Sequence, residues 1–334
     1  MATQAGWYAS RLRQEVMARN RAWARGRAHA ESYGSAPVIA YEPEDDRHGN
    51  FFDAAYAAII GNPEWMRRFD KVHAQATRSL PRPEIDPKRR WRELDTSMSS
   101  DALLMNIFAT PGVVESAIVQ NALGVDDATP IFGWKARVPL ANGRFDRTEV
   151  DMRLGNLLVE AKLTEVGFQT RAAAVVESYR DFDSVFDREL LPRTEIATAR
   201  WMKASEFPEN DSQEFESVVA DPDTFSTIDT TFRPPGEPGY ASYQLIRGVL
   251  AAHACDCSFC VLHDERRPDL REEWFEVMAA VKSASLRVRL KVLTWQELAA
   301  VLPDELQEFL ELKYGVVAPG RVPSPVGGSV EDAE

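Results

Sequence analysis

The sequence predicts an α/β fold, and three observations predict it. A two-stranded hairpin with strict side-chain alternation covers residues 148–162, a helical pattern follows it, and two more strand-like runs, Cys257 to Leu262 and Val288 to Thr294, come later. Helices are expected to begin at Tyr240 and at Trp295, so strands and helices interleave. At 334 residues, 44% hydrophobic and 27% charged, the chain can bury a large core, and its size suggests about two domains.

The N-terminal third reads as helical. Arg11, Arg13, Arg19, Arg21, Arg25 and Arg27 lie on a first helix with Trp7, Tyr8 and Trp23. An apolar-rich helix runs from Asn50 to Ile60 until Gly61-Asn62-Pro63 breaks it. Prolines 81, 83 and 87 mark a linker, and Ser99-Ser100-Asp101 caps a helix that continues to Phe108. Residues 1–95 are therefore expected to form a helical, partly basic extension and 96–316 a core. An irregular, acidic insertion is expected near 205–240, and a Gly- and Pro-rich disordered tail at 317–334.

The hairpin carries the chemistry. Gly155-Asn156 makes a two-residue turn, which pairs residues whose numbers sum to 311. Asp151 then faces Glu160, and Glu149 faces Lys162. Alternation puts Thr148, Val150, Met152, Leu154, Leu157, Val159, Ala161 and Leu163 on one face, apolar apart from Thr148, and a one-residue slip would turn those apolar side chains into water. The other face gathers Glu149, Asp151, Arg153, Leu158, Glu160 and Lys162. Directly opposed residues hold their Cβ atoms roughly 4.5 to 5.5 Å apart, so Asp151 and Glu160 repel unless positive charge sits between them. A hard divalent cation such as Mg²⁺ takes oxygen ligands of this kind. The plainer alternative is a solvated amphipathic hairpin with an ordinary Glu149–Lys162 ion pair. Glu-x-Lys alone carries no information, because Glu311-Leu312-Lys313 repeats it in what reads as a terminal helix.

An acid on one strand followed by Glu-x-Lys on the next resembles the PD-(D/E)XK nuclease superfamily over roughly residues 99 to 316. The resemblance implies a restriction-endonuclease-like core, a mixed central sheet flanked by helices. It implies metal binding by Asp151 and Glu160, a lysine acting at the attacking water in Lys162, and Mg²⁺ as cofactor with Mn²⁺ as substitute. Val150 stands where the superfamily's name has proline. A glutamate on the helix before the first strand is common in the superfamily, and Glu115 is the candidate; the other reading is a surface residue. Some members present a Gln and a Tyr from a later helix, which points to Gln244 beside Tyr243, although the family's spacing is absent and a tyrosine packing at a helix start reads equally well. The helix expected through Arg171, Val175, Tyr179 and Phe182 would be the crossover after the third strand.

The implied activity is Mg²⁺-dependent hydrolysis of phosphodiester bonds, first of all by a DNA endonuclease of restriction or defence type on double-stranded DNA. An RNA-processing or structure-specific repair nuclease would use the same residues, and a catalytically silent nucleic-acid-binding module is the remaining alternative. Many members dimerise, so a homodimer belongs to the same expectation.

Net charge is −13, which argues against a nucleic-acid partner until its distribution is considered. Through residue 92 the chain holds 16 Lys or Arg against 11 Asp or Glu, while the remainder holds 23 against 41. Arg21 and Arg25 on the first helix, and Arg89, Arg90 and Arg92 in Lys88-Arg89-Arg90-Trp91-Arg92, are the candidate phosphate contacts. A solvated basic helix face is the alternative. No apolar run approaches the roughly 20 residues of a membrane span. The first residues lack a signal-peptide core, and three closely spaced cysteines do not make a disulfide framework, so a cytoplasmic location is expected. His253, Cys255, Cys257, Cys260 and His263 offer soft metal ligands, but the usual paired Cys-x-x-Cys is missing. Small buried cysteines beside a strand are the simpler expectation.

Overall fold

The structure, a computed structural model, describes residues 4–34, 37–72, 80–126, 128–196 and 236–322. Helix α1 (Gln4–Trp23) leads into two short antiparallel pairs, β1 (His29–Glu31) with β2 (Ile39–Tyr41) and β3 (Pro43–Glu44) with β4 (Arg47–His48). Helices α2 (Asp53–Gly61) and α3 (Pro63–Phe69) meet at Asn62, whose side chain caps α3 by accepting from the Glu64 and Trp65 amides. Beyond the proline-rich stretch come α4 (Ser100–Phe108), capped by the Ser99 hydroxyl, and α5 (Ala117–Leu123).

The central strands follow: β5 (Pro130–Lys135), a small pair β6 (Val138–Pro139) and β7 (Phe145–Asp146), then β8 (Glu149–Leu154) and β9 (Leu157–Ala161). Next are β10 (Arg171–Ala172), the single turns α6 (Ala173–Val176) and α7 (Phe182–Val185), β11 (Arg193–Ile196) and β12 (Glu237–Tyr240). The chain then runs through α8 (Tyr243–Cys255), β13 (Ser258–His263), α9 (Pro268–Ala280), α10 (Ala284–Arg287), β14 (Leu290–Thr294), α11 (Trp295–Ala299) and α12 (Asp304–Tyr314).

Five strands in the order β14-β13-β9-β8-β5 form the mixed central sheet, antiparallel across β5, β8 and β9 and parallel across β9, β13 and β14. Alternation sorts its side chains into two cores. Met152, Leu154, Val159, Ala161, Cys260 and Leu262 join Leu103 and Ile107 of α4, Trp295 of α11 and Leu310 of α12. Leu158, Phe259 and Val261 join Ile246 and Val249 of α8 and Trp274 of α9 on the other face. Each fully buried side chain of this size contributes about 1.5–3 kcal/mol, so the two faces together fix the register.

The hairpin pairs Met152↔Val159, Arg153↔Leu158 and Leu154↔Leu157, the expected sum of 311, with Gly155 at φ 57 in the turn. One residue departs from the expected face. Val150 belongs to the second core, with Ala136 and Val138, instead of following Met152. The β5–β8 ladder skips Gly133 and Asp151, and Gly133 has φ 63, so the strands kink there.

Three further expectations change. The crossover helix through Tyr179 is broken into α6 and α7, because residues 178–180 pair with β6 and the residues after it: Ala141 N–H donates to Ser178 O and Arg180 N–H to Pro139 O. Residues 237–240, expected inside an irregular insertion, form β12 between β10 and β11; residues 205–235 of that insertion lie outside the described part, as do 323–334 of the tail. The N-terminal extension holds strands as well as helices, and Leu12, Val16, Ile39 and Phe51 share the first core with the central sheet. Lys313, from the uninformative second Glu-x-Lys, is buried and donates to Asn20 Oδ1 at 2.6 Å, which ties α12 to α1.

Candidate active site

Strands β8 and β9 bring Asp151, Glu160 and Lys162 together. The ladder of backbone pairs stops at Met152↔Val159, and beyond it Asp151 Oδ2 accepts the Ala161 N–H at 2.7 Å. This carboxylate takes the place of a backbone acceptor and is fixed by it. Lys162 Nζ donates to Glu160 Oε1 at 2.7 Å, and Arg247 Nη2 of α8 stands 3.9 Å from Glu160 Oε2. The expected opposition of Glu149 and Lys162 is not an ion pair; Glu149 pairs with Lys71 at 3.1 Å instead.

The backbone at Lys162 is held from two sides. Its N–H donates to Leu262 O on β13, and Trp295 Nε1 of α11 donates to its carbonyl, both at 2.8 Å. The loop after it is pinned by Arg267, buried completely, which donates to Leu163 O, Glu165 O and Val166 O. Glu165 is thereby placed to accept from Ser100 Oγ and from Leu163 N–H, each at 2.6 Å.

A further carboxylate comes from α4. Asp101 is buried in the first turn of a helix whose nine residues are all buried, and it pairs with Arg68 of α3. Burial, together with Glu93 and Glu165, pushes the Asp101 carboxyl up to about 6 despite Arg68 and Lys71. Burial also raises Asp151 well above the usual carboxylate range, and the nearby Glu160 and Asp101 charges add to the shift. Burial alone would lower Lys162, but Glu160, Asp151 and Glu165 outweigh it and hold the ammonium protonated above its ordinary range.

Asp151 keeps partial exposure, whereas Glu160 is 1% and Lys162 4% exposed. Surface cavities of about 430 and 260 Å³ lie elsewhere, the first between Trp23, Phe52 and Phe309.

The structure does not bring every expected residue here. Glu115 is exposed in the turn before α5, outside the helix in which it was expected, and none of the interactions above reaches it. Gln244 lies in the first turn of α8, where its backbone N–H donates to Phe168 O; Arg247, one helical turn on, approaches Glu160 in its stead. Asp101, Glu165, Arg68 and Arg247 were not singled out from sequence. A first-turn Asp is what helix capping favours in any case, so Asp101 looked ordinary. The available signal was an acid leading Ala102-Leu103-Leu104-Met105, a run too apolar for a surface helix.

The candidate phosphate contacts divide as well. Arg89 is not a surface group: it pairs at 2.7 Å with buried Asp95, which also meets His48 Nε2 at 3.1 Å. A buried carboxylate next to an imidazole requires such a cation, which is why Arg89 turns inward. Arg92 pairs with Asp70 and lies over the Phe69 ring, and Arg21 pairs with Glu31 at 2.7 Å. Arg25 and Arg90 are exposed. Cys257, just before β13, and Cys260 within it fall into opposite cores, and all three cysteines are free thiols. Among the described residues no group of three or more His, Cys, Asp or Glu is arranged to hold a metal ion, and no helix is long and apolar enough to cross a membrane.

A mixed sheet whose adjacent strands present Asp151 and then Glu160-x-Lys162, backed by α4 and α8, defines a protein of the restriction-endonuclease-like, PD-(D/E)XK class. The family model described as "Restriction Endonuclease associating with ARP" matches residues 17–315, and the chain belongs to that family. The match takes in the C-terminal third of α1 and all of α3 along with the sheet, in keeping with their shared core. No curated protein and no solved structure matches the chain.

Proposed function

We propose that the chain is a metal-dependent endonuclease of restriction type that hydrolyses phosphodiester bonds of double-stranded DNA. The observation that carries this reading is the convergence of Asp151, Glu160 and protonated Lys162 at the end of one hairpin, with Asp101 beside them.

The donor set suits Mg²⁺, with Mn²⁺ as substitute. Mg²⁺ is commonly held by one or two carboxylates, with water and substrate oxygens completing its shell, so Asp151 and Glu160 suffice as protein ligands. The upward shift of Asp151 marks a place where added positive charge is favourable. When bound, the ion supplies charge neutralisation and water activation near neutral pH. Asp101, a helix-borne acid whose charge reaches Asp151, is assigned here the role that the resemblance gave to Glu115.

Lys162 is an ammonium, so it acts as a hydrogen-bond donor and a positive charge and not as a base. It would orient the attacking water and stabilise negative charge as it builds on the phosphate. Glu160 and the pinned backbone hold it in place.

The test is incubation of the purified chain with plasmid, single-stranded DNA and RNA, with and without Mg²⁺, beside Lys162→Ala. Cleavage of plasmid alone, dependent on Mg²⁺ and absent from the variant, supports the reading. Cleavage of RNA alone would move the activity to RNA processing, and tight binding with no cleavage in Mg²⁺ or Mn²⁺ would leave a silent binding module.

A further inference from the structure

Arg247 stands at the site with donors that the Asp151, Glu160 and Lys162 assignment leaves idle. It lies on α8, one turn after Tyr243, and is 2% exposed. Its nearest acid atom, Glu160 Oε2, is 3.9 Å away, beyond hydrogen-bond reach, and among the described residues Nε and Nη1 have no partner at all. Tyr243, on the same side of the helix, hydrogen-bonds Tyr179 OH at 2.8 Å, and Tyr179 in turn donates to Asp146 at 2.6 Å. The neighbouring polar groups are thus satisfied by one another, and the guanidinium is left over.

A buried donor without a partner is costly, and a charged one more so. Such a group in a native protein calls for an explanation, and beside the Asp151, Glu160 and Lys162 cluster a ligand that completes it is the one the surroundings favour. The ligand must be anionic and present two acceptor oxygens to a planar fork, which describes a phosphate group. Glu160 does not fill the role, because its other oxygen is already committed to Lys162.

We infer that Arg247 is a phosphate ligand of this site, donating from Nη1 and Nη2 to two oxygens of a nucleic-acid phosphate. This rests on the nuclease reading for the identity of the anion. Arg247 and Lys162 then approach the substrate from α8 and from the end of β9, on either side of Glu160.

The full chain with Arg247→Met and Arg247→Lys tests it by two readouts after thermal melts establish folding. One is the salt dependence of duplex DNA binding in EDTA; the other is single-turnover cleavage in Mg²⁺. Arg247→Met should flatten the slope of log affinity against log salt by about 0.9, one phosphate contact, and slow cleavage roughly 100-fold. Arg247→Lys should keep the slope and remain slow, because it keeps the charge and loses the fork. A folded Arg247→Met with the parent's slope and rate overturns the assignment; should that variant not fold, an Arg247→Lys that cleaves like the parent overturns it. If the slope changes as stated while even the parent fails to cleave, the phosphate contact stands and the nuclease reading falls.

Discussion

Lys162 Nζ, from the position just past β9, and Glu160 Oε1, from within that strand, form a 2.7 Å ion pair that is almost completely withdrawn from water. Such a pair contributes little net stability, yet losing one member leaves a buried charge uncompensated.

Lys162→Met should therefore cost about 3–5 kcal/mol and remove cleavage together. The double variant Glu160→Gln, Lys162→Met should recover much of the stability and none of the activity. Denaturant unfolding of the parent, both single variants and the double variant gives the coupling, and an additive result would show that the pair does not act as a unit.

Asp151→Asn should raise the melting temperature at pH 7 while abolishing cleavage. Its carboxylate is buried next to Glu160 and Asp101, so removing the charge relieves repulsion, and an amide oxygen can still accept the Ala161 N–H. Thermal melts and plasmid assays decide it; a less stable variant would mean the carboxylate is a net stabiliser.

The pH dependence has a defined sign. Asp101 has a folded pKa of about 6 against an ordinary 3.8, so the fold binds its proton more tightly than the unfolded chain does. Its contribution is complete below about pH 4 and is lost as pH rises through about 6. Asp101→Asn should flatten the fall in stability between those values, measured by melts in matched ionic strength. An unchanged profile would assign the fall to other groups.

Arg89 and Arg90 should separate by effect. Arg89→Ala exposes the buried Asp95 charge and should lower stability by about 3–5 kcal/mol. Arg90→Ala touches an exposed group and should leave the melt unchanged while weakening DNA binding and its salt slope. Equal melts for the two variants would contradict the buried assignment of Arg89.

Sequence carried the hairpin well and its surroundings poorly, for physical reasons that can be named. The turn at Gly155 and the alternation from Met152 to Ala161 are local signals, and both the register and the meeting of Asp151, Glu160 and Lys162 follow from them. Val150 escaped because the kink lies in the partner strand, at Gly133. The broken crossover escaped because Ser178 and Arg180 give their backbone groups to residues some forty positions earlier, which no helical periodicity reports. Asp101, Arg68 and Arg247 reach the site only through packing of α3, α4 and α8 on the sheet, and a charged residue on a helix reads as surface until its neighbours are known.

The most direct measurement is Mg²⁺-dependent nicking of supercoiled plasmid by the parent chain and by a folded Lys162→Ala variant in the same preparation series. The account predicts nicking that needs Mg²⁺ and disappears with the lysine. Nicking that survives in Lys162→Ala at the parental rate would contradict it.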